Sequence, residues 1–150
     1  MCRSQGEPNG PKRCPAHARI QLEKSIAAVE ELEEREAQFR AALAVAVEKT
    51  QQTHVAVERL NSLERALRSL EASIEDDPEE DPEYVQLRQA VQRARRHHDA
   101  ARPASSAALS VLHRRREQAT QALVAAGVST TEAGQHLDDI EVETGFAPPF

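Results

Sequence analysis

A row of five large apolar residues in the middle of this chain limits what the chain can fold into. Leu60, Leu63, Leu67, Leu70 and Ile74 follow one another in alternating steps of three and four residues. On an α-helix this spacing gives one narrow apolar stripe, which is typical of coiled coils rather than of helices with a broad globular face. Such a stripe is not stable in water. The pattern, which we call the leucine seam, therefore predicts a partner helix from the same chain or from another copy.

The composition favours helices over a thick core. The 150 residues include three Phe, one Tyr and no Trp, although aromatic side chains usually supply much of the buried area of a compact core. The remaining apolar residues are mainly Ala, Leu and Val, and Ala, Leu, Glu, Gln and Arg are all good helix formers. We therefore expect an all-α protein made of long, thin helices.

Breaker residues divide the chain into three predicted parts. Residues 1–15 are rich in Gly, Pro and Asn, which predicts a flexible leader. Residues 16–126 carry helical patterns on both sides of an acidic segment at 75–83, which predicts an elongated antiparallel helical hairpin with its turn there. Gly127 fits a helix C-cap, so residues 127–150 are expected to form a short helix and a frayed tail.

The segment 75–83 has the residues of a helix start. Seven of its nine residues are acidic. Asp81 suits an N-cap, Pro82 the first helical position and Glu83 the positive end of the helix dipole. The same order, Asp-Pro-Glu, occurs one turn earlier at 77–79. We favour a solvated turn, and a metal-binding acidic loop is the alternative.

The first helix is less regular upstream of the leucine seam. Its large apolar residues there include successive steps of four: Leu22, Ile26, Val29, Leu32, Phe39, Leu43 and Val47. Residues 50–53 are nearly polar, and the register of the leucine seam does not extend back through them. This predicts a stutter, or a break into two helices, at 50–53.

The second helix has a seam of mostly small residues, which would allow close approach of a neighbour: Tyr84, Leu87, Val91, Ala94, His98, Ala101, Ser105, Ala108, Leu112, Ala119, Ala122 and Ala126. In a hairpin the leucine seam would pack on Tyr84, Leu87 and Val91. These eight residues together are the expected partner-binding seam. Pro103 predicts a kink or a short break near residues 101–106, because proline removes a helical hydrogen bond.

Charge is spread unevenly along the chain. Residues 20–83 carry a net charge of −10 and residues 84–126 carry +6, which indicates either attraction between the two helices or simply a solvated surface. The positive residues include two basic clusters, formed by Arg93, Arg95 and Arg96 and by Arg114, Arg115 and Arg116. Such clusters could bind the phosphates of nucleic acid, or could pair with the acidic turn and the first helix.

A candidate metal site lies near the start of the chain. Cys2, Cys14 and His17 are residue types that bind zinc, and the spacing of Cys14 and His17 suits chelation. Structural zinc needs a fourth ligand, from another chain or a distant histidine. The alternatives are a disulfide between the two cysteines, or no site at all.

The same leader carries a resemblance to other proteins. Met1-Cys2-Arg3-Ser4, followed by Asn9-Gly10-Pro11-Lys12-Arg13-Cys14-Pro15-Ala16-His17, resembles a short leader on uncharacterised proteins of actinobacteria and their phages. That leader reads Cys-Arg-Ser, a gap, then Gly-Gly-Arg-Arg-Cys-Pro. Here Asn9-Gly10 replaces the glycine pair and Pro11 is inserted. The resemblance implies a bacterial or phage origin and carries no activity over to any residue.

The prediction of function rests mainly on the membrane, secretion and catalytic signatures that the sequence lacks. No run approaches the roughly 18 apolar residues of a membrane span, and the basic N-terminus lacks the apolar core of a secretory signal, so we expect a cytoplasmic protein. No catalytic signature is recognisable. The expected function is that of a non-enzymatic coiled-coil interaction or structural protein without a cofactor, forming a homo-oligomer or binding a protein partner. A small nucleic-acid-binding regulator using the two basic clusters is the alternative.

Overall fold

The structure, a computed structural model, describes residues 15–146. These form three α-helices, α1 (Pro15–Ser73), α2 (Pro82–Ala125) and α3 (Thr130–Thr144), and one 3₁₀ turn at Pro78–Glu80. Helices α1 and α2 pack along each other as an antiparallel hairpin, and α3 packs on both. With 59 and 44 residues, α1 and α2 are about 90 Å and about 65 Å long. The predicted all-α hairpin with a short C-terminal helix is confirmed.

The acidic turn is built from the predicted helix-start residues. The Asp77 side chain accepts a hydrogen bond from the backbone nitrogen of Glu79 at 3.1 Å. The Asp81 side chain accepts from the nitrogens of Glu83, at 2.8 Å, and of Tyr84, at 3.3 Å. These bonds satisfy donors that have no partner within the helix, so they fix where α2 begins.

The end of α2 is equally well defined. Gly127 has a φ of 96°, which places it in the left-handed region that glycine enters without strain. The nitrogen of Gly127 donates to the carbonyl of Val124, and that of Val128 donates to the carbonyl of Leu123, each at 3.0 Å. This pair of bonds is a Schellman motif. It reverses the chain, so that α3, capped by the Ser129 side chain, returns along the hairpin.

Helix α1 is continuous through residues 50–53, so the predicted break there is wrong. The predicted stutter is wrong as well, because the less exposed positions continue from the leucine seam towards the N-terminus in unbroken steps of three and four. These positions, which we call the α2-facing line, are occupied upstream of Leu60 by Ala56, Thr53, Lys49, Ala46, Ala42, Phe39, Arg35 and Leu32. Most of these positions carry small or polar residues, so the register cannot be recognised from the large apolar residues alone.

Helix α2 has the same spacing, and its predicted seam is buried or half-buried from Tyr84 to Ala122; only Ala126 is exposed. The predicted short break at Pro103 is wrong, because α2 is helical through residues 101–106, and the predicted kink stays a prediction. Pro103 is exposed, while its neighbours Ala101 and Ser105 lie against α1. Packing of the opposite side of α2 on a continuous α1 holds the helix together where one backbone hydrogen bond is missing.

The core lies at the end of the hairpin that α3 covers. The largest fully buried side chains there are Phe39, Leu43, Leu137 and Ile140. In the other half of the hairpin only two helices meet, and the residues of the leucine seam are half-buried. Burial of apolar surface, and with it the stability of the fold, is therefore concentrated where three helices meet.

A second line of residues on α1 faces α3. The Glu36 carboxylate lies 3.6 Å from the ring nitrogen of His136, and the Arg40 guanidinium lies 3.8 Å from Glu143. Leu43, one turn further on, is fully buried. Traced in both directions by steps of four and three, these residues belong to one stripe, which we call the α3-facing line: Leu22, Ile26, Val29, Glu33, Glu36, Arg40, Leu43 and Val47. The large apolar residues upstream of the leucine seam are therefore irregularly spaced because they belong to two lines, each of which is regular by itself.

Candidate functional site

No catalytic or metal centre is visible in the residues that the structure describes. Within 15–146 no three His, Cys, Asp or Glu side chains are grouped so that they could hold a metal ion. This includes the acidic segment 75–83. Of the candidate zinc ligands, Cys2 and Cys14 lie outside the described residues, and His17 is exposed on the first turn of α1. Zinc binding by this set therefore stays a prediction.

The helix that covers the leucine seam comes from the same chain. Leu60, Leu63, Leu67 and Leu70 are half-buried on the side of α1 that faces α2, and Ile74, the first residue after α1, is half-buried as well. On α2, Tyr84 and Val91 are buried and Leu87 is half-buried. Ion pairing flanks the contact, since the Arg95 guanidinium lies 2.9 Å from the Glu64 carboxylate. Binding of a separate partner at these eight residues stays a prediction.

Tyr84 closes the hairpin at its turn. Its hydroxyl donates to the Glu71 carboxylate at 3.4 Å, and the guanidinium carbon of Arg88 lies 5.9 Å from the centre of its ring. Burial raises the pKa of Tyr84 above its usual 10.0; the negative charges of Glu71 and Glu79 raise it further, and Arg88 opposes them. Arg88 also pairs with Glu79 on the 3₁₀ turn. These contacts tie the start of α2 to the end of α1.

Three of the six arginines in the two basic clusters contact other groups of this chain. Arg95 pairs with Glu64, as described above. Arg115 donates to the side-chain oxygens of Gln38, at 3.2 Å, and Gln118, at 3.0 Å.

Arg116 makes the closest of these contacts. It donates to the Asp138 carboxylate at 2.6 Å and to the Glu141 carboxylate at 2.9 Å, joining α2 to α3. Half of the candidate phosphate-binding arginines, Arg95, Arg115 and Arg116, therefore contact groups of this chain.

The remaining three arginines, Arg93, Arg96 and Arg114, are exposed, and none has an ion pair with another described residue. Arg96 and Arg114 are separated by 18 residues of α2, or about 27 Å. They do not form one continuous cationic surface of the kind that tracks a nucleic-acid backbone.

An open groove of about 290 Å³ lies beside Arg93. Its floor is formed by Ala56, Ala90 and Ala94, and its rim by Arg59, Arg93 and His97. A shallow alanine floor with cationic side chains could attract an anion from solvent. Beside the imidazole of His97, its described lining contains no hydroxyl, thiol or carboxylate.

The most unusual surface is the N-terminal part of α1. Every residue from 15 to 31 is exposed, and we call this segment the arm. Four large apolar side chains lie on it: Leu22 is 61% exposed, Val29 53%, Ile26 49% and Ile20 48%. Leu22, Ile26 and Val29 belong to the α3-facing line, beyond the end of α3 that begins at Thr130. Sequence reasoning included these residues in a seam of the first helix. It did not identify them as an uncovered surface, and their spacing of four and then three residues was the available signal.

Comparison of the chain with protein-family models, with curated proteins and with solved structures found no match. None of the helices described is both long enough and apolar enough to cross a membrane.

Proposed function

We propose that this protein is a non-enzymatic coiled-coil protein of bacterial or phage origin that acts in the cytoplasm, without a cofactor, by binding a protein partner or a second copy of itself. In this proposal α1 and α2 form an antiparallel coiled coil that closes the leucine seam, and the arm is the surface that makes contact with other molecules. The hairpin is then a rigid support, and the arm is the part that binds.

The uncovered apolar row on the arm carries this proposal. Large apolar side chains exposed singly are ordinary on a protein surface, but a row at helical spacing is typical of an interaction site. Leu22, Ile26 and Val29 form such a row, each of them about half exposed or more. Helix ends without tertiary packing are only marginally stable in water, so a partner bound to this row would stabilise the first turns of α1 as well as cover the row.

Nucleic-acid binding is the less favoured function. It would need the two basic clusters to be free, whereas Arg95, Arg115 and Arg116 bind groups of this chain. Only Arg93, Arg96 and Arg114 would be left to contact phosphates, and Arg114 lies about 27 Å along α2 from Arg96.

Size-exclusion chromatography of the full chain with light scattering and absorbance at two ultraviolet wavelengths tests the proposal. With one Tyr and no Trp the protein absorbs weakly, so bound nucleic acid would dominate the signal. We expect a nucleic-acid-free peak whose mass exceeds 16.6 kDa, or one that contains a second protein in stoichiometric amount. A single chain carrying nuclease-sensitive absorbance, or a single chain with nothing bound at any concentration, would overturn the proposal.

A further inference from the structure

We infer that the open groove beside Arg93, between α1 and α2, binds a small organic phosphate, that is, a phosphate monoester with an apolar carbon part. In this inference the three basic side chains of the rim hold the phosphate, and the carbon part lies on the alanine floor. We call this site the cationic groove, and its lining consists of Ala56, Arg59, Ala90, Arg93, Ala94 and His97.

The cationic groove lies along the contact between the two long helices. Ala56 of α1 and Ala94 of α2 are buried in that contact and form the bottom of the groove. Arg59 follows Ala56 by about one turn of α1, while Arg93 and His97 lie one turn apart on α2, and all three are exposed. Helix α3 packs at the other end of the hairpin, so within residues 15–146 the groove is open to solvent.

The basic side chains of the rim lack the carboxylates that neutralise other arginines of this chain. Arg40, for example, pairs with Glu36, four residues before it on the same helix, at 3.2 Å. Arg59, Arg93 and His97 have no Asp or Glu three or four positions away on either side. None of the three has an ion pair or a side-chain hydrogen bond with another residue of 15–146. Their donors are therefore available to a ligand.

The two flanks of the hairpin differ in charge at this level. On one flank Arg95 of α2 meets a carboxylate of α1, that of Glu64, at 2.9 Å. On the other flank Arg93 of α2 shares the cationic groove with an arginine of α1, Arg59. Two positive charges that line one groove repel each other, whereas an anion between them attracts both. The missing negative charge is therefore the feature that a ligand would supply.

A phosphate monoester fits this rim better than a carboxylate does. Near neutral pH it carries a charge of about −1.5 to −2 and three strong acceptor oxygens. Arg59 and Arg93 together match that charge, and each guanidinium can donate two parallel hydrogen bonds to phosphate oxygens. The ring N–H of His97 adds a third donor. A carboxylate has one charge and two oxygens, so it would leave part of the rim without a partner.

The floor and the size of the groove favour an organic phosphate over the inorganic ion. The floor consists of the methyl groups of Ala56, Ala90 and Ala94, which offer contact to carbon and no hydrogen bond. The volume of about 290 Å³ is close to the lower end of the range for small-molecule sites, about 300 Å³. Inorganic phosphate would leave much of this space empty, whereas a monoester with one ring would fill it.

Nuclear magnetic resonance of the ¹⁵N-labelled full chain, titrated with phenyl phosphate at constant ionic strength, tests this inference. We expect the amide signals of Ala56, Ala90 and Ala94 to shift with one dissociation constant below about 1 mM, which is ordinary for a ligand of this size. Inorganic phosphate and phenol each carry one half of the probe and should bind at least about tenfold more weakly. The absence of these shifts at about 10 mM phenyl phosphate, or equal binding of inorganic phosphate, would overturn the inference.

Charge-removing variants test whether the site joins the two helices. Arg59→Gln and Arg93→Gln should each weaken phenyl phosphate binding about tenfold, since each removes a charge-assisted contact while glutamine preserves the helix. The matched controls are Arg65→Gln on α1 and Arg96→Gln on α2, which remove exposed charges outside the lining of the groove and should bind like the wild type. Unchanged binding in Arg59→Gln would place the ligand on α2 alone. Equal losses in all four variants would indicate unspecific attraction by charge. Either result would contradict a site between the helices.

Hydrogen exchange provides a measurement that needs no variant. A ligand held by both helices stabilises the part of the hairpin that it joins. Saturation with phenyl phosphate should therefore slow amide exchange around Ala56 and Ala94 and leave α3 unchanged. Equal slowing throughout the chain, or no slowing, would exclude a ligand that bridges α1 and α2 at this groove.

Discussion

The side-chain hydroxyl of Thr53 on α1 lies 3.3 Å from the carbonyl oxygen of Ala101 on α2, two residues before Pro103. The same hydroxyl lies 2.9 Å from the carbonyl oxygen of Lys49, so two acceptors share its single hydrogen. Thr53 belongs to the polar segment 50–53, and Pro103 is the interior proline of α2. The two apparent interruptions of the hairpin therefore lie opposite each other, and the Thr53 side chain of α1 contacts α2 within one turn of the hydrogen bond that Pro103 removes.

Replacing Pro103 by Ala should stabilise the protein. The change restores the backbone donor that faces the carbonyl of Asp99, and it places no new side chain in a contact because position 103 is exposed. We expect a gain of about 2 kcal/mol, somewhat reduced because the unfolded chain becomes more flexible. Thermal unfolding followed by circular dichroism measures it. Arg102→Ala, a neighbouring exposed change that restores no hydrogen bond, should leave the midpoint unchanged. A midpoint for Pro103→Ala at or below that of the wild type would show that proline does not strain α2.

Replacing Leu67 by Glu should open the two-helix part of the hairpin. Leu67 is half-buried in the leucine seam, so a carboxylate there loses apolar contact and is placed against α2. We expect a loss of about 2 kcal/mol in urea unfolding. The control is Ala66→Glu, which adds the same charge to the next residue, on the exposed side of α1. Equal stability of the two variants would mean that the leucine seam does not hold α1 on α2.

Replacing Arg116 by Met should loosen α3. The guanidinium contacts two carboxylates of α3, and its removal leaves them without their partner while keeping the length of the side chain. We expect a loss of about 1 kcal/mol, since both contacts are partly exposed. Amide hydrogen exchange should become faster throughout α3 and stay unchanged near the acidic turn. Arg114→Met, two residues away and exposed, should exchange like the wild type; similar loosening of α3 in both variants would contradict the role of Arg116.

The ionisation of Tyr84 should reduce stability at alkaline pH. Because the folded protein raises the pKa of this group above 10.0, the stabilisation is complete below pH 10 and is lost as the pH rises through the raised value. Tyr84 is the single tyrosine of the chain, so its absorbance near 295 nm titrates without overlap. Glu71→Gln should lower this pKa towards 10.0 by removing a negative charge. The difference in alkaline stability between wild type and Tyr84→Phe isolates the effect, and identical pH profiles of these two proteins would exclude it.

The ends of the helices could be predicted from the sequence because they depend on neighbouring residues. Asp81 and Pro82 start α2, and Gly127 ends it, through contacts that span only a few positions. The seam of α2 could be predicted as well, since α2 faces α1 along most of its length and therefore shows one regular spacing.

The N-terminal half of α1 could not be interpreted in the same way. There α1 has two neighbours, so Phe39 faces α2 while Leu43 lies on the line that faces α3, and the apolar residues follow two stripes rather than one. Which stripe is covered depends on where α3 returns to α1. That return is set by the reversal at Gly127 and by the contacts of Arg116, which join residues 18 or more positions apart. For the same reason the arm did not stand out in the sequence as an uncovered surface.

The central claim is that one chain closes its own leucine seam and so leaves the arm for association. Pulsed electron spin resonance with spin dilution tests this claim most directly. Labels would be attached to Arg68→Cys on α1 and Gln92→Cys on α2, both exposed positions, after Cys2 and Cys14 are replaced by Ser. Packed helices lie about 10 Å apart, so the labels should be about 20–30 Å from each other. We predict that this distance and its signal depth persist when a tenfold excess (about one label pair per ten chains) of unlabelled protein is mixed in under refolding conditions. Loss of the short distance on dilution would show that the seam joins two chains, and would contradict a hairpin closed within one chain.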